Sequence, residues 1–136
     1  KVEQRLNQSN KIRVAKLMQH KVQIQIPTTI NVDQPYDTQA YVELAHKLFT
    51  KHFSGSSSKV LLGWYQANDF RLVNEQMIEV EVWMTEELLF QYWSEIEDFI
   101  FLLLDELKQE TVIVVVDSVA VLFEKAESNS VSVMAA

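Results

Sequence analysis

The stretch Met77-Ile78-Glu79-Val80-Glu81-Val82-Trp83-Met84-Thr85-Glu86-Glu87 decides how this chain is read. Ile78, Val80, Val82 and Met84 alternate with Glu79, Glu81 and Trp83, the period of two that marks a strand with one buried face. The alternation stops at Thr85, a residue suited to capping a helix, and Glu86 and Glu87 then place negative charge at the positive end of the helix dipole. Beyond them Leu89, Tyr92, Trp93, Ile96, Phe99, Ile100, Leu103 and Leu107 keep helical spacing to about Lys108. A half-buried strand therefore runs directly into the longest element of the chain.

Downstream, residues 111–116 are β-branched without a break, the signature of a strand covered on both faces. Asp117-Ser118 can turn it into a last strand, Val119–Phe123. Upstream, residues 59–66 carry apolar side chains in both alternating sets, Val60, Leu62 and Trp64 in one and Leu61 and Tyr65 in the other. That pattern predicts a strand shielded on both sides, joined to Met77–Met84 as a hairpin through a turn at Asn68 and Asp69. Before it, Tyr41, Leu44, Ala45, Leu48 and Phe49 form a helical stripe over residues 38–53, with Asp37 placed to cap the start and Gly55 suited to a left-handed stop. Val22, Ile24 and Ile26 alternate with Gln23 and Gln25 as a first strand that Pro27 ends. The order strand, helix, strand, strand, helix, strand is the split βαβ pattern, so the expected fold is an α+β, ferredoxin-like βαββαβ sandwich with one extra C-terminal strand.

Size and composition agree with one domain. A chain of 136 residues with 48% hydrophobic and 23% charged residues is large enough for a single buried core and has ordinary globular composition. We divide it into a basic arm over residues 1–21, a domain over residues 22–124, and a flexible tail over residues 125–136. The arm is read as helical, with Val14, Leu17 and Met18 on one face. No run approaches the roughly 20 apolar residues of a membrane span, and no apolar stretch with a cleavage site follows the first basic residues.

Charge is distributed unevenly. Residues 1–22 hold six basic residues against Glu3, a balance of +5 within a total of −7, so the rest of the chain carries −12. An acidic body argues against nucleic acid as the partner, because that affinity comes from Lys and Arg on phosphates. A basic protein partner, or the basic arm of a second copy, suits it better, and no membrane partner is indicated.

Catalytic motifs are absent by spacing and by residue type. Without cysteine there is no disulfide, thiolate nucleophile or thiolate metal site, and the chain is compatible with a reducing cytoplasm. His46 and His52 lie six apart on one expected helix, where ligand pairs need three or four, so no metal site is read and the histidines are placed at a surface or interface. The run Ser54-Gly55-Ser56-Ser57-Ser58-Lys59 passes from helix into strand, the reverse of a phosphate-binding loop, and Gly55 and Gly63 alone cannot build a dinucleotide fingerprint. No catalytic residue and no cofactor are assigned.

The segment Thr28-Thr29-Ile30-Asn31-Val32-Asp33-Gln34-Pro35-Tyr36-Asp37, the Tyr41 helix and the Gly63-Trp64 strand resemble a group of short uncharacterised bacterial proteins over residues 23–123. The resemblance implies the same α/β fold in a bacterial protein and transfers no functional residue.

Two functions follow as expectations. The first is a non-enzymatic interaction or regulatory module that self-associates through its sheet as a homodimer or larger homo-oligomer, using Leu61, Tyr65 and Trp83 together with Glu79 and Glu81. The second is a small enzyme with a carboxylate site at a subunit interface, where Glu79 and Glu81 share a strand face and His20 or Tyr65 assists as acid or base.

Overall fold

The computed structural model describes residues 2–66 and 69–127. Its elements are α1 (Val2–Leu6), β1 (His20–Pro27), the short pair β2 (Thr29–Ile30) and β3 (Gln34–Pro35), α2 (Gln39–Phe53), β4 (Ser57–Gln66), β5 (Leu72–Met84), α3 (Glu86–Glu106), β6 (Val112–Val116) and β7 (Val119–Phe123). One five-stranded sheet runs in the order β4-β5-β1-β6-β7, and every neighbouring pair is antiparallel. β5 and β6 both pair with β1, so α3 carries the chain between two strands that are parallel to each other across β1. The same holds for α2 between β1 and β4. This is the ferredoxin-like α+β arrangement, with β7 added outside β6.

Helices cover one face only. Val22, Ile24 and Ile26 from β1, Val80, Val82 and Met84 from β5, and Val114 from β6 meet Phe49 and Phe53 of α2 and Ile96, Ile100 and Leu103 of α3 in one buried core. Thr85 caps α3 as its spacing predicts, its hydroxyl accepting from the Leu88 N–H at 3.3 Å. The β6–β7 turn falls on Asp117 and Ser118, both in the left-handed region that a two-residue hairpin demands.

Several expectations are corrected. The N-terminal arm is helical only over Val2–Leu6, and the stretch holding Val14, Leu17 and Met18 has no regular structure, since a short segment without an apolar partner cannot sustain a helix. On α2 the buried stripe is Val42, Ala45, Phe49 and Phe53, while Leu44 faces solvent, a rotation of the face by less than a quarter turn that keeps Ala45 and Phe49 inside. Asp37 does cap the start of α2 as expected, accepting the Gln39 N–H at 3.0 Å, while Thr38 turns its hydroxyl to the Pro27 carbonyl. Ser54, with φ 80°, takes the left-handed stop expected of Gly55.

The largest correction concerns β4. It is an edge strand whose Val60, Leu62 and Trp64 are 56%, 64% and 60% exposed, and the chain's own helices shield neither face of it. β5 begins at Leu72, five residues before Met77, so the β4–β5 hairpin extends beyond the end of α2. Of the expected turn, Asp69 is described and Asn68 lies outside the described residues, as do residues 128–136 of the tail. Among the described residues, no helix is long and apolar enough to cross a membrane.

Candidate functional site

The sheet face opposite the helices is open, and its character changes along β5. Register places Glu75, Met77, Glu79, Glu81 and Trp83 on that face, beside Gly63, Leu61 and Lys59 of β4 and Pro27, Gln25, Gln23 and Lys21 of β1. Near the centre the carboxylates already have partners. Glu79 is only 4% exposed, accepts from the Gln23 amide at 2.7 Å and lies 3.5 Å from Lys59 Nζ. Glu81 sits 3.5 Å from Lys21 Nζ, which also stands 5.2 Å over the Trp83 ring.

At the other end of the face, the N-terminal half of β5 borders a cleft. Gln25 and Pro27 from β1, Tyr65 from β4, Glu75 and Met77 from β5, and Gln109, Thr111 and Ile113 leading into β6 enclose a cavity of about 340 Å³. A second cavity of about 240 Å³ adjoins it, lined by Thr28, Thr29, Asp33, Asn74 and Gln76. Val32, Tyr65 and Glu75 line both. Among the described residues no Lys or Arg lines either cavity, whereas Glu75, Glu110 and Asp33 do, so the cleft favours a positively charged guest.

The loop that walls this cleft is held under strain. Asn31 and Val32 take φ of 52° and 73°, and a β-branched residue in that region costs on the order of 1–3 kcal/mol. Hydrogen bonds fix it there. The Asn31 N–H donates to the Leu107 carbonyl at 3.0 Å, and the Gln109 amide donates to the Thr29 carbonyl at 3.0 Å. The Thr28 hydroxyl donates to the Gln76 carbonyl at 2.6 Å, and the Thr29 hydroxyl lies 3.0 Å from the Val32 carbonyl and 3.1 Å from Glu75 Oε1. Gly63 supplies room: a Cβ there would lie 2.9 Å from Met77 Cε, so the missing side chain lets the Met77 thioether lie across β4 into the cleft.

The expected site residues are thus only partly brought together. Tyr65 lies in the cleft, and Leu61 sits half-buried opposite Met77 just outside it. Glu79, Glu81 and Trp83 continue the same face away from the cleft, their charge met by Lys59 and Lys21. Glu79 pairs with Lys59, six residues from Tyr65 along β4, or about 20 Å at roughly 3.3 Å per residue. His20 does not join them. It is opposite Met84 in register and so points to the helix side, where its ring meets Asp117 and Glu86. His46 contacts Ser56 at 2.6 Å, and His52 stacks on Tyr92 with ring centres 3.8 Å apart while its Nε2 lies 3.0 Å from Glu95. Among the described residues no three His, Asp or Glu side chains converge on a point that could hold a metal ion.

Sequence reasoning missed Glu75, Gln109 and Val32. Glu75 had a signal, because Val73, Glu75 and Met77 continue the alternation of Glu79 and Glu81 backwards. Gln109 and Val32 had none, since loops brought together by the fold carry no periodicity.

The chain is similar in fold to a phage SAM lyase. That structure, in complex with S-methyl-5'-thioadenosine, matches with a TM-score of 0.58 and 13% identity over 82% of this chain and 96% of its own. The apo form of a phage SAM lyase matches with a TM-score of 0.54 and 16% identity over 79% of this chain and 92% of its own. CutA of Pyrococcus horikoshii aligns over 83% of this chain and 92% of its own at a TM-score of 0.43 and 11% identity, too distant to bear on function. No known family matches the sequence, and no curated protein is significantly similar to it.

Proposed function

We propose that the chain is a small enzyme whose site is the cleft around Glu75, Tyr65 and Gln109, acting on a nucleoside sulfonium of the S-adenosylmethionine type. One observation carries the reading: a carboxylate and an aromatic ring are shared by two adjoining cavities that no Lys or Arg among the described residues lines. A sulfonium is a soft cation, and a Tyr ring, a Met thioether and a carboxylate are the side chains that suit one. Gln25, Gln109 and Thr111 offer hydrogen bonds to the polar edges of a nucleoside. The fold likeness to a phage SAM lyase supports the same choice of ligand.

In this reading the carbon–sulfur bond to the amino-acid arm breaks with its electron pair on sulfur, which becomes a neutral thioether. Glu75 takes the proton from the neighbouring carbon, and that C–H pair becomes the double bond of the departing fragment. The carboxylate-based site expected at Glu79 and Glu81 therefore moves two turns of the pleat along β5 to Glu75. Incubation with S-adenosylmethionine should yield S-methyl-5'-thioadenosine, and Glu75→Gln should slow its formation by about 100-fold or more. A wild-type protein that produces no thioadenosine overturns the reading.

A second reading, self-association, is favoured by the β4–β5 hairpin. Val60, Leu62 and Trp64 expose an apolar face on an edge strand of ten residues whose one charge is Lys59, and Leu72 of β5 extends it. Long edges of this kind with so little charge pair readily with another chain. Association and catalysis are compatible, and both belong to a bacterial cytoplasmic setting in this proposal.

A further inference from the structure

The two cavities share Val32, Tyr65 and Glu75, so they form one groove of two lobes with Glu75 bordering both. We propose that this groove selects a ligand by a positive charge placed between two arms, so that Glu75 holds the charged sulfonium and lets go of the neutral thioether that remains once the charge is lost. The proposal rests on the reading of the cleft given above and deepens it.

Three features place the selection at Glu75. Along the open face the carboxylates of Glu79 and Glu81 each have a lysine, whereas Glu75 forms no ion pair among the described residues. Among the described residues its side chain is hydrogen-bonded by the neutral hydroxyl of Thr29, which orients Oε1 and brings no opposite charge. The position bordering both lobes puts the Glu75 charge beside the centre of a bound ligand rather than beside either end.

The lobes differ in size and in where their charge lies. The larger sets Pro27, Met77, Val112 and Ile113 beside Gln25, Gln109 and Thr111, and in this proposal it takes the nucleoside, with the flat body against the apolar walls and the polar edges against the amides. The smaller carries Asp33 beside Thr28, Thr29 and Pro35, and in this proposal it receives the amino-acid arm with its ammonium facing Asp33. Val32, in its left-handed conformation, borders both lobes.

Calorimetric titration with S-adenosylmethionine and with S-adenosylhomocysteine tests this, because the two compounds share both arms and differ in the S-methyl group and the positive charge it brings to sulfur. The wild-type protein should bind the sulfonium at least about tenfold more tightly, a difference of ~1.4 kcal/mol. Glu75→Gln keeps an acceptor for the Thr29 hydroxyl and removes the charge, so the ratio should fall toward one. Asp33→Asn should weaken both compounds equally and leave the ratio standing, since both carry the ammonium. Equal wild-type affinity for the two compounds overturns charge selection while leaving the cleft as the binding site, and so does a tenfold ratio that survives in Glu75→Gln. Binding of neither compound overturns the proposal and the functional reading together. A wild-type ratio near one overturns charge selection by itself, whatever the folding of the variant.

Discussion

His20 Nδ1 and Asp117 Oδ2 lie 2.6 Å apart, tying the first residue of β1 to the turn between β6 and β7. The other Asp117 oxygen accepts the Lys21 N–H at 2.8 Å, and Glu86 Oε1 approaches His20 Nε2 at 3.5 Å. The hydrogen bond to Asp117, first among the causes, holds the His20 pKa above its ordinary 6.5, and the bond from His20 holds the Asp117 carboxyl below its ordinary 3.8.

The sign of the resulting pH dependence follows from the two directions. A raised histidine pKa adds stability that is fully present below 6.5 and is lost as pH rises through the folded value. A lowered Asp pKa adds stability that is present above 3.8 and is lost as pH falls through the folded value. The pair therefore contributes fully between those limits. Urea unfolding should show a larger loss of stability from about pH 5 to about pH 8 in the wild type than in Asp117→Asn, and identical profiles would remove the pair from any account of pH dependence.

The same turn offers a gain in stability. Ser118 has φ of 72°, and a residue with a Cβ is disfavoured there by roughly 1–2 kcal/mol. Ser118→Gly should raise the unfolding free energy by about 0.5–1 kcal/mol after the added entropy of glycine in the unfolded chain is subtracted. An unchanged or lowered urea midpoint would count against the turn's strain.

In the core, Phe49 is fully buried and meets Phe53 with ring centres 6.1 Å apart. Phe49→Ala should cost about 3–5 kcal/mol, a large share of the stability of a domain this size. Thermal unfolding monitored by circular dichroism would register it. A loss under ~1 kcal/mol would mean that α2 does not pack on the sheet as described.

On the β4–β5 hairpin, Trp64→Glu changes an exposed residue, so stability should move by no more than about 0.5 kcal/mol. Sedimentation velocity should show the wild type above its monomer mass of 15.8 kDa and the variant at it. A wild type that stays monomeric across a wide concentration range removes the self-association reading.

Pattern and punctuation alone determined the order of elements. The alternation of Val22, Ile24 and Ile26 and of Ile78, Val80 and Val82, the cap at Thr85 and the Asp117-Ser118 turn are local signals, because each depends on residues within a few positions of one another. Which strand lies at the edge is not local. Residues 59–66 are apolar on both sides, and periodicity cannot tell a strand covered by its own helices from one left open beyond their ends; only the tertiary placement of α2 and the length of β5 decided that. The cleft was hidden for the same reason. Tyr65, Glu75, Val32 and Gln109 come from four separate segments, and their meeting depends on β4, β5, a strained loop and the end of α3 converging in space. Burial and turn chemistry write themselves into neighbouring residues, whereas a site assembled across the fold exists only once the chain has closed on itself.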